Sequence, residues 1–514
     1  MWRLLFKKVN GRGNLMVAVS KAPSLPIPKN DRTLILILVA IYLLTRLPLL
    51  QFLPLVQDEN LHSIMAEEQA EHLTLIPTFM GYPVSWKPAP FIWAYSALSR
   101  MPLPIEARYR LPSLLFGLIT IPPLFLLLRN LGLSRNLAFF SILMFLFSLV
   151  SLYPDDAMHA DAMAFFFTTC SLYLYTMQDP KIQKNWMFVL AALFAGLAFL
   201  TKLVVAFIIP VLAVVYFYDK DKSRKTFRNP FFLLSLLVVP LLFILYFFLL
   251  ESAGLGQESY VLDIVGKMAN PQGIGSQANS FFGSFYVVLV GLGLWFALSL
   301  FGFKRYWKGN LTMAAWYVLT LFPFLTSSYM PWYYLPVMPA IAYFAAMLLI
   351  VDEGKERTDG FFAMIFGIML VISAVICLSF YSGLYSSFLP QKEAGLLLAG
   401  KENVIVLGSY APGIISYKMI TEIDTMGRPL DIGWILYTND SEELNSEFLK
   451  NYSSDRYPVR QGSFSLMFHS LEIFRKDTNI TKPEYVVTVY LENATVANAS
   501  LIYNRSRILV YDVR

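Results

Sequence analysis

Residues 34–60 read LILILVAIYLLTRLPLLQFLPLVQDEN. Leu34–Leu50 is an almost unbroken apolar run, of the length that crosses a bilayer with little tilt. The stretch ends on Gln57-Asp58-Glu59-Asn60, two adjacent carboxylates at the mouth of a span. Charges this close to hydrocarbon are costly, and they are kept where they do something. The first question is therefore whether Asp58 and Glu59 belong to an enzyme, to a transporter or to neither.

Composition places the chain in a membrane. It is 56% apolar, 16% aromatic and 15% charged, against about 25% charged residues in a soluble domain. The excess falls in long runs. Hydropathy predicts about eleven spans, near 34–50, 105–128, 137–153, 159–177, 187–201, 203–218, 230–250, 281–302, 311–327, 332–350 and 360–382. Residues 1–33 are polar and basic, with no cleavage pattern behind them. The two cysteines, Cys170 and Cys377, sit inside apolar runs and imply neither a disulfide framework nor a zinc site.

Lys and Arg gather in the N-terminal segment and at 129–135, 181–184, 220–228 and 304–308. The positive-inside rule makes all of these cytoplasmic. An odd number of spans then leaves residues 383–514 outside. Six Asn-X-Ser/Thr triplets in that tail, at Asn439, Asn451, Asn479, Asn493, Asn498 and Asn504, agree with this. Short β-prone runs alternating with polar turns predict an α/β or α+β domain there. It has no G-x-G-x-x-G fingerprint, so no dinucleotide site is read into it. The expected architecture is a polytopic α-helical protein with three parts. These are a basic cytoplasmic segment (1–33), a multi-span domain (34–382) with a long outer loop at 51–104, and an extracytoplasmic C-terminal domain (383–514).

With this topology one face collects the chemistry. The loop 51–104 carries Asp58, Glu59, His62, Lys87 and Arg100, and Ser63–His72 reads as a helix lying on the membrane surface. The next outer loop leads through Asp155, Asp156 and His159 to Asp161, at the start of a span. Thr201-Lys202 is a tight hairpin on the same face, and Ser327–Pro339 (SSYMPWYYLPVMP) is an aromatic-proline approach to a later span. Each residue has a plainer reading. Acids at helix starts are favoured by the macrodipole. Lysines snorkel at interfaces. Arg110 can pair with Glu106 one turn away.

These residues resemble, in order along the chain, the motifs of the GT-C glycosyltransferases, in the branch of the protein O-mannosyltransferases and the lipid A aminoarabinose transferase. Asp58-Glu59 resembles the acidic motif of the first loop. Lys87-Pro88-Ala89-Pro90 resembles the Lys-Pro-Pro motif, and Arg110-Leu111-Pro112-Ser113 the Arg-Leu-Pro-Ser motif. Asp161–Phe165 resembles the second-loop aspartate motif, Gly196–Lys202 the Leu-Thr-Lys hairpin and Tyr334–Pro339 the Tyr-x-x-Pro-x-x-Pro motif. The matches cover about residues 34–345. The Trp-Trp-Asp motif of oligosaccharyltransferases is absent. Trp86 stands before Lys87 where the aminoarabinose enzymes carry an acid, which removes one candidate metal ligand.

The resemblance implies transfer of one sugar, with inversion, from a polyprenyl (dolichyl-type) phosphate carrier to a protein, glycan or lipid acceptor on the outer face of a cell membrane. It makes Asp58 the acid that activates the acceptor, with Asp161 and Glu59 as further catalytic candidates. Lys87, Lys202, Arg110 and Tyr334 become candidates for holding the substrate. A divalent metal stays open, and no nucleic-acid partner is expected. Simple chemistry points the same way. Glycosyl transfer needs a base for the acceptor and cations where charge grows on the departing phosphate. The competing reading is a transporter or flippase of lipid-linked sugars. Such proteins carry internal repeats and ionisable groups near the bilayer midplane; here the charges cluster at one edge.

Overall fold

The first helix, α1 (Asp31–Arg46), begins where the Asn30 side chain accepts the Arg32 N–H at 3.0 Å. It has an acid in its first turn and Arg46 in its last, both signs favoured by the helix macrodipole. This is a computed structural model, and it describes residues 30–56, 58–79, 82–84, 88–179, 182–203, 205–221, 224–255, 294–327, 331–348, 360–401, 404–408, 412–426, 432–436, 472–475, 485–489, 500–505 and 508–512. The basic segment 1–33 lies almost wholly outside the described residues, as do Lys87 and most of the expected span at 281–302.

The described residues are mostly helical. After α1 come α2 (Asp58–Glu71), α3 (Ala89–Ser96), α4 (Ile105–Asn130), α5 (Arg135–Leu146) and α6 (Leu149–Asp156). Then follow α7 (Ala160–Thr176), α8 (Asn185–Thr201), α9 (Ile208–Lys220), α10 (Pro230–Ser252), α11 (Leu294–Tyr306) and α12 (Leu311–Ser327). A 3-10 turn, Pro331–Val337, leads into α13 (Met338–Met347), and α14 runs from Gly360 to Leu398. Among the described residues, four stretches are long and apolar enough to cross a membrane: Asp31–Leu50, Ile105–Asn130, Pro230–Ser252 and Gly367–Leu398. Shorter apolar helices lie between them.

Several elements differ from the hydropathy reading. The run 137–153 is two helices, because the chain breaks at Phe147 and Ser148 restarts it by accepting the Ser151 N–H at 3.3 Å. The carbonyl of Leu146, freed by the break, accepts a hydrogen bond from the buried guanidinium of Arg46. Helix α14 extends to Leu398, well past the expected limit at 382. The helix expected at Ser63–His72 starts at Asp58 and is not a surface helix. Residues 59–67 are all buried, because α2 is packed between α3 and a helix of the C-terminal region.

That region contains a six-stranded mixed sheet. Its strands are β3 (Val404–Gly408), β4 (Ile432–Leu436), β5 (Glu472–Arg475), β6 (Tyr485–Val489), β7 (Ser500–Arg505) and β8 (Ile508–Asp512), in the order β5-β4-β3-β6-β8-β7. A two-stranded ladder, β1 (Thr78–Phe79) with β2 (Tyr82–Pro83), lies in the long loop. Strand β3 pairs in parallel with β4 and β6, and the outer pairs are antiparallel. Helix α15 (Pro412–Met426), the crossover after β3, packs on α14 and α2.

The helical body has two distinct ends. At one, Asp31 pairs with Arg135 at 2.6 Å and Arg129 at 4.0 Å, and Gln183 donates to Thr226 at 2.8 Å. At the other lie α2, the α7 start, the end of α8 and α15.

Candidate functional site

The site is built on a loop whose backbone is tied down from several directions. Arg110, fully buried in α4, donates to it through both Nη1 and Nη2. Nη1 donates to Leu50 O at 3.3 Å and Leu53 O at 2.8 Å, and Nη2 donates to Pro54 O at 2.8 Å. The same group forms a two-point pair with Glu59, Nε to Oε1 at 2.8 Å and Nη2 to Oε2 at 2.7 Å. Such planar, charge-assisted pairs fix geometry as well as energy. Asn60 donates to Leu55 O at 2.9 Å. Arg110 therefore holds Glu59 and the loop rather than hydrogen-bonding to Glu106.

Glu59 is saturated. Besides Arg110 it accepts Val56 N–H and Met158 N–H, each at 2.8 Å, and it is 0% exposed. Its neighbour Asp58 differs completely. Asp58 is the first residue of α2 and half-buried, and among the described residues its carboxylate has no hydrogen bond or ion pair. Two adjacent acids thus split into one that is locked and one that is available.

The Glu59–Met158 bond brings in the second acidic element. His62 Nδ1 lies 3.0 Å from Met158 O, and the His62 and His159 rings are 6.5 Å apart. His159 is one residue before α7, and its Nδ1 lies 3.8 Å from Asp161 Oδ2. Tyr95 lies 3.2 Å from the His159 carbonyl and 2.5 Å from Ser113 Oγ, and burial pushes its hydroxyl pKa up. Asp161, 5% exposed, is in the first turn of α7 and meets Lys202 Nζ at 2.5 Å. Lys202 reaches it because α8 ends at Thr201, which frees its side chain from the helix.

The structure thus brings Asp58, Glu59, Arg110, Asp161 and Lys202 to one end of the helical body. Tyr334 is buried in the 3-10 turn that packs against α6 and α7. Lys87 lies outside the described residues. Among the described residues no three His, Cys, Asp or Glu side chains group as a metal would require. The Glu59 oxygens already hold four donors, so Glu59 itself is not offered to a metal.

The sequence offered no sign of two further contributors. Tyr417 of α15 accepts the Leu55 N–H at 2.7 Å, across 362 residues, and donates to Glu106 Oε1 at 2.7 Å. Lys392 of α14 pairs with the same Glu106 oxygen.

The structure gives a bundle of apolar helices with paired acids and cations at one end, and comparison with known proteins gives the class. Residues 32–255 match the family described as dolichyl-phosphate-mannose-protein mannosyltransferase. ArnT from Cupriavidus metallidurans, solved bound to undecaprenyl phosphate, superposes with TM-score 0.62 over 94% of this chain and 99% of its own, at 16% identity. Its apo form gives TM-score 0.60. The archaeal oligosaccharyltransferase AglB from Archaeoglobus fulgidus, in complex with an inhibitory peptide and a dolichol-phosphate, gives TM-score 0.52 over 89% of this chain and 69% of its own, at 10% identity. No curated protein matches the chain in sequence. The protein is a membrane glycosyltransferase with the GT-C fold. Residues 32–255, somewhat less than half of the chain, are similar to the dolichyl-phosphate-mannose-protein mannosyltransferase family.

Proposed function

We propose that this enzyme moves a single sugar from a polyprenyl-phosphate carrier to a hydroxyl or amine of a protein, glycan or lipid acceptor, with inversion, on the outer face of a cell membrane. The observation that carries the reading is Asp58, an available carboxylate at the tip of a loop otherwise immobilised by Arg110 and Glu59.

Asp58 takes the acceptor proton as the acceptor atom attacks the anomeric carbon. The bond from that carbon to the phosphate oxygen breaks, and the polyprenyl phosphate departs with the electron pair. Inversion needs one base on the face opposite the leaving group. Negative charge grows on the phosphate, where Lys202 and Lys87 meet it. Asp161 holds Lys202 until phosphate arrives and orients it afterwards. Glu59 and Arg110 act as a structural pair that fixes the base. Tyr334 lines the site from the aromatic turn. The C-terminal domain, from residue 383 onward, sits outside the cytoplasm on the same face as Asp58.

The test is transfer from radiolabelled polyprenyl-phosphate sugars in nanodiscs, with a membrane extract as acceptor pool. Wild type transfers label; Asp58→Asn loses roughly a hundred- to ten-thousandfold in turnover, the usual contribution of a general base. Full activity in normally folded Asp58→Asn removes the proposal. Labelled carrier crossing sealed vesicles without covalent transfer turns the reading to a transporter.

A further inference from the structure

We propose that the C-terminal domain supplies a positioning residue, Tyr417, which holds the loop carrying Asp58 in its reactive geometry. The inference rests on the transferase reading above, with Asp58 as base. The segment from Gln51 to Val56 lies outside the helices, between a 3-10 turn ending at Leu50 and the α2 start at Asp58. Such a segment keeps one shape only when its polar groups are paired. Arg110 and Asn60 secure its carbonyls, and Glu59 secures Val56 N–H. The Leu55 N–H points to the other side, and its acceptor comes from Tyr417.

The tyrosine is well fixed for this task. Its side chain is fully buried, and its hydroxyl donates to Glu106 while accepting from Leu55. Glu106 is held in turn by Lys392 of α14. Helix α15 sits so close to α14 that a Cβ on Gly395 would lie 2.7 Å from Ile414 O and 2.8 Å from Tyr417 Cβ. Ser416, the preceding residue, meets Ser63 of α2 at 2.8 Å. The loop before the base is thus clamped between Arg110 of the membrane domain and Tyr417 of the C-terminal domain. Misplacing a reacting group by about 1 Å costs on the order of a hundredfold in rate.

Tyr417→Phe keeps the ring and removes only the hydroxyl. It is compared with Ser416→Ala, which cuts a neighbouring contact of the same interface without touching the loop. Two quantities are read. One is hydrogen exchange of peptides covering 53–60; the other is kcat and donor KM for sugar transfer per folded enzyme. Tyr417→Phe is expected to exchange faster across 53–60, to lose roughly tenfold or more in kcat and to keep donor KM within about twofold. Ser416→Ala is expected to change neither. Wild-type exchange or wild-type kcat in Tyr417→Phe overturns the proposal. If wild type transfers nothing from any donor, the transferase reading has failed, and the exchange comparison alone decides whether Tyr417 holds the loop. Should Tyr417→Phe not fold, Glu106→Gln, which weakens the tie from the far side, is expected to shift both readouts in the same direction.

Discussion

Asp58 and Glu59 are adjacent in sequence and opposite in energetics. Glu59 is a desolvated charge whose cost is met by Arg110 and two backbone N–H groups. Removing one partner of such a pair strands the other and costs about 3–5 kcal/mol. Glu59→Gln is therefore expected to lower the unfolding temperature sharply, whereas Asp58→Asn, lacking ties to break, leaves it near wild type. Thermal unfolding of the two variants in detergent checks this, and equal losses would contradict it. A third acid, Glu67 of α2, is 2% exposed and takes a hydrogen bond from Tyr109, with Arg100 at 3.3 Å. Burial pushes its carboxyl above the usual range against the pull of Tyr109 and Arg100. The native state then binds this proton more tightly than the unfolded chain. Its contribution to stability is full below the ordinary carboxylate range and is lost as pH rises through the raised native value. Glu67→Gln keeps an acceptor for Tyr109 and cannot ionise. Its unfolding temperature relative to wild type should climb between pH 4 and pH 8, and a flat difference would count against the assignment. The sequence shows where these acids are. It does not show which is locked, because the deciding partners, Arg110, Met158 and Tyr109, lie 42 to 99 residues away.

The apolar runs locate helices well and their breaks poorly. α4 and α10 fall close to their expected limits, since an unbroken run in hydrocarbon has to satisfy its own backbone. The break at Phe147 has no mark in the apolar run, because the group that stabilises it, Arg46, is a hundred residues earlier on α1. Close approaches are hidden in the same way. A Cβ on Gly302 of α11 would lie 1.9 Å from Phe344 O of α13, so the two helices pack backbone to side-chain-free backbone. Gly302→Ala has to push them apart, and the neighbouring Phe303, Tyr317 and Phe344 rings, 5.1 to 5.8 Å between centroids, share the displacement. Overpacking of this kind typically costs about 1–3 kcal/mol. The variant should unfold several degrees lower in detergent while an alanine at Gly309, with open space around its Cβ, does not. An unchanged Gly302→Ala would mean that the α11–α13 contact is looser than described.

At the scale of the whole molecule, charge and chemistry sit at opposite ends. Asp31, Arg129 and Arg135 pair at one end, and the basic stretches 220–228 and 304–308 belong with it by the positive-inside rule. The acids of the site lie at the other end, where α15 also docks through the two-point pair of Arg108 with Asp424, at 2.9 and 3.0 Å. Hydropathy and Lys/Arg bias predict a cytoplasmic and an outer end, since both report on local composition. They do not anticipate the docking, since no local pattern links residue 424 to residue 108. The orientation makes a testable claim about the two ends. Lys401, exposed beside β3, should lie outside, and Lys225, exposed between α9 and α10, should lie in the cytoplasm. Both native cysteines are at least partly buried, so background labelling is low. In intact cells a membrane-impermeant maleimide should label Lys401→Cys and leave Lys225→Cys untouched until the membrane is opened. Labelling of both from outside would break the span count. The reverse pattern would turn the chain over and put Asp58 in the cytoplasm, where the proposed transfer could not occur on the outer face.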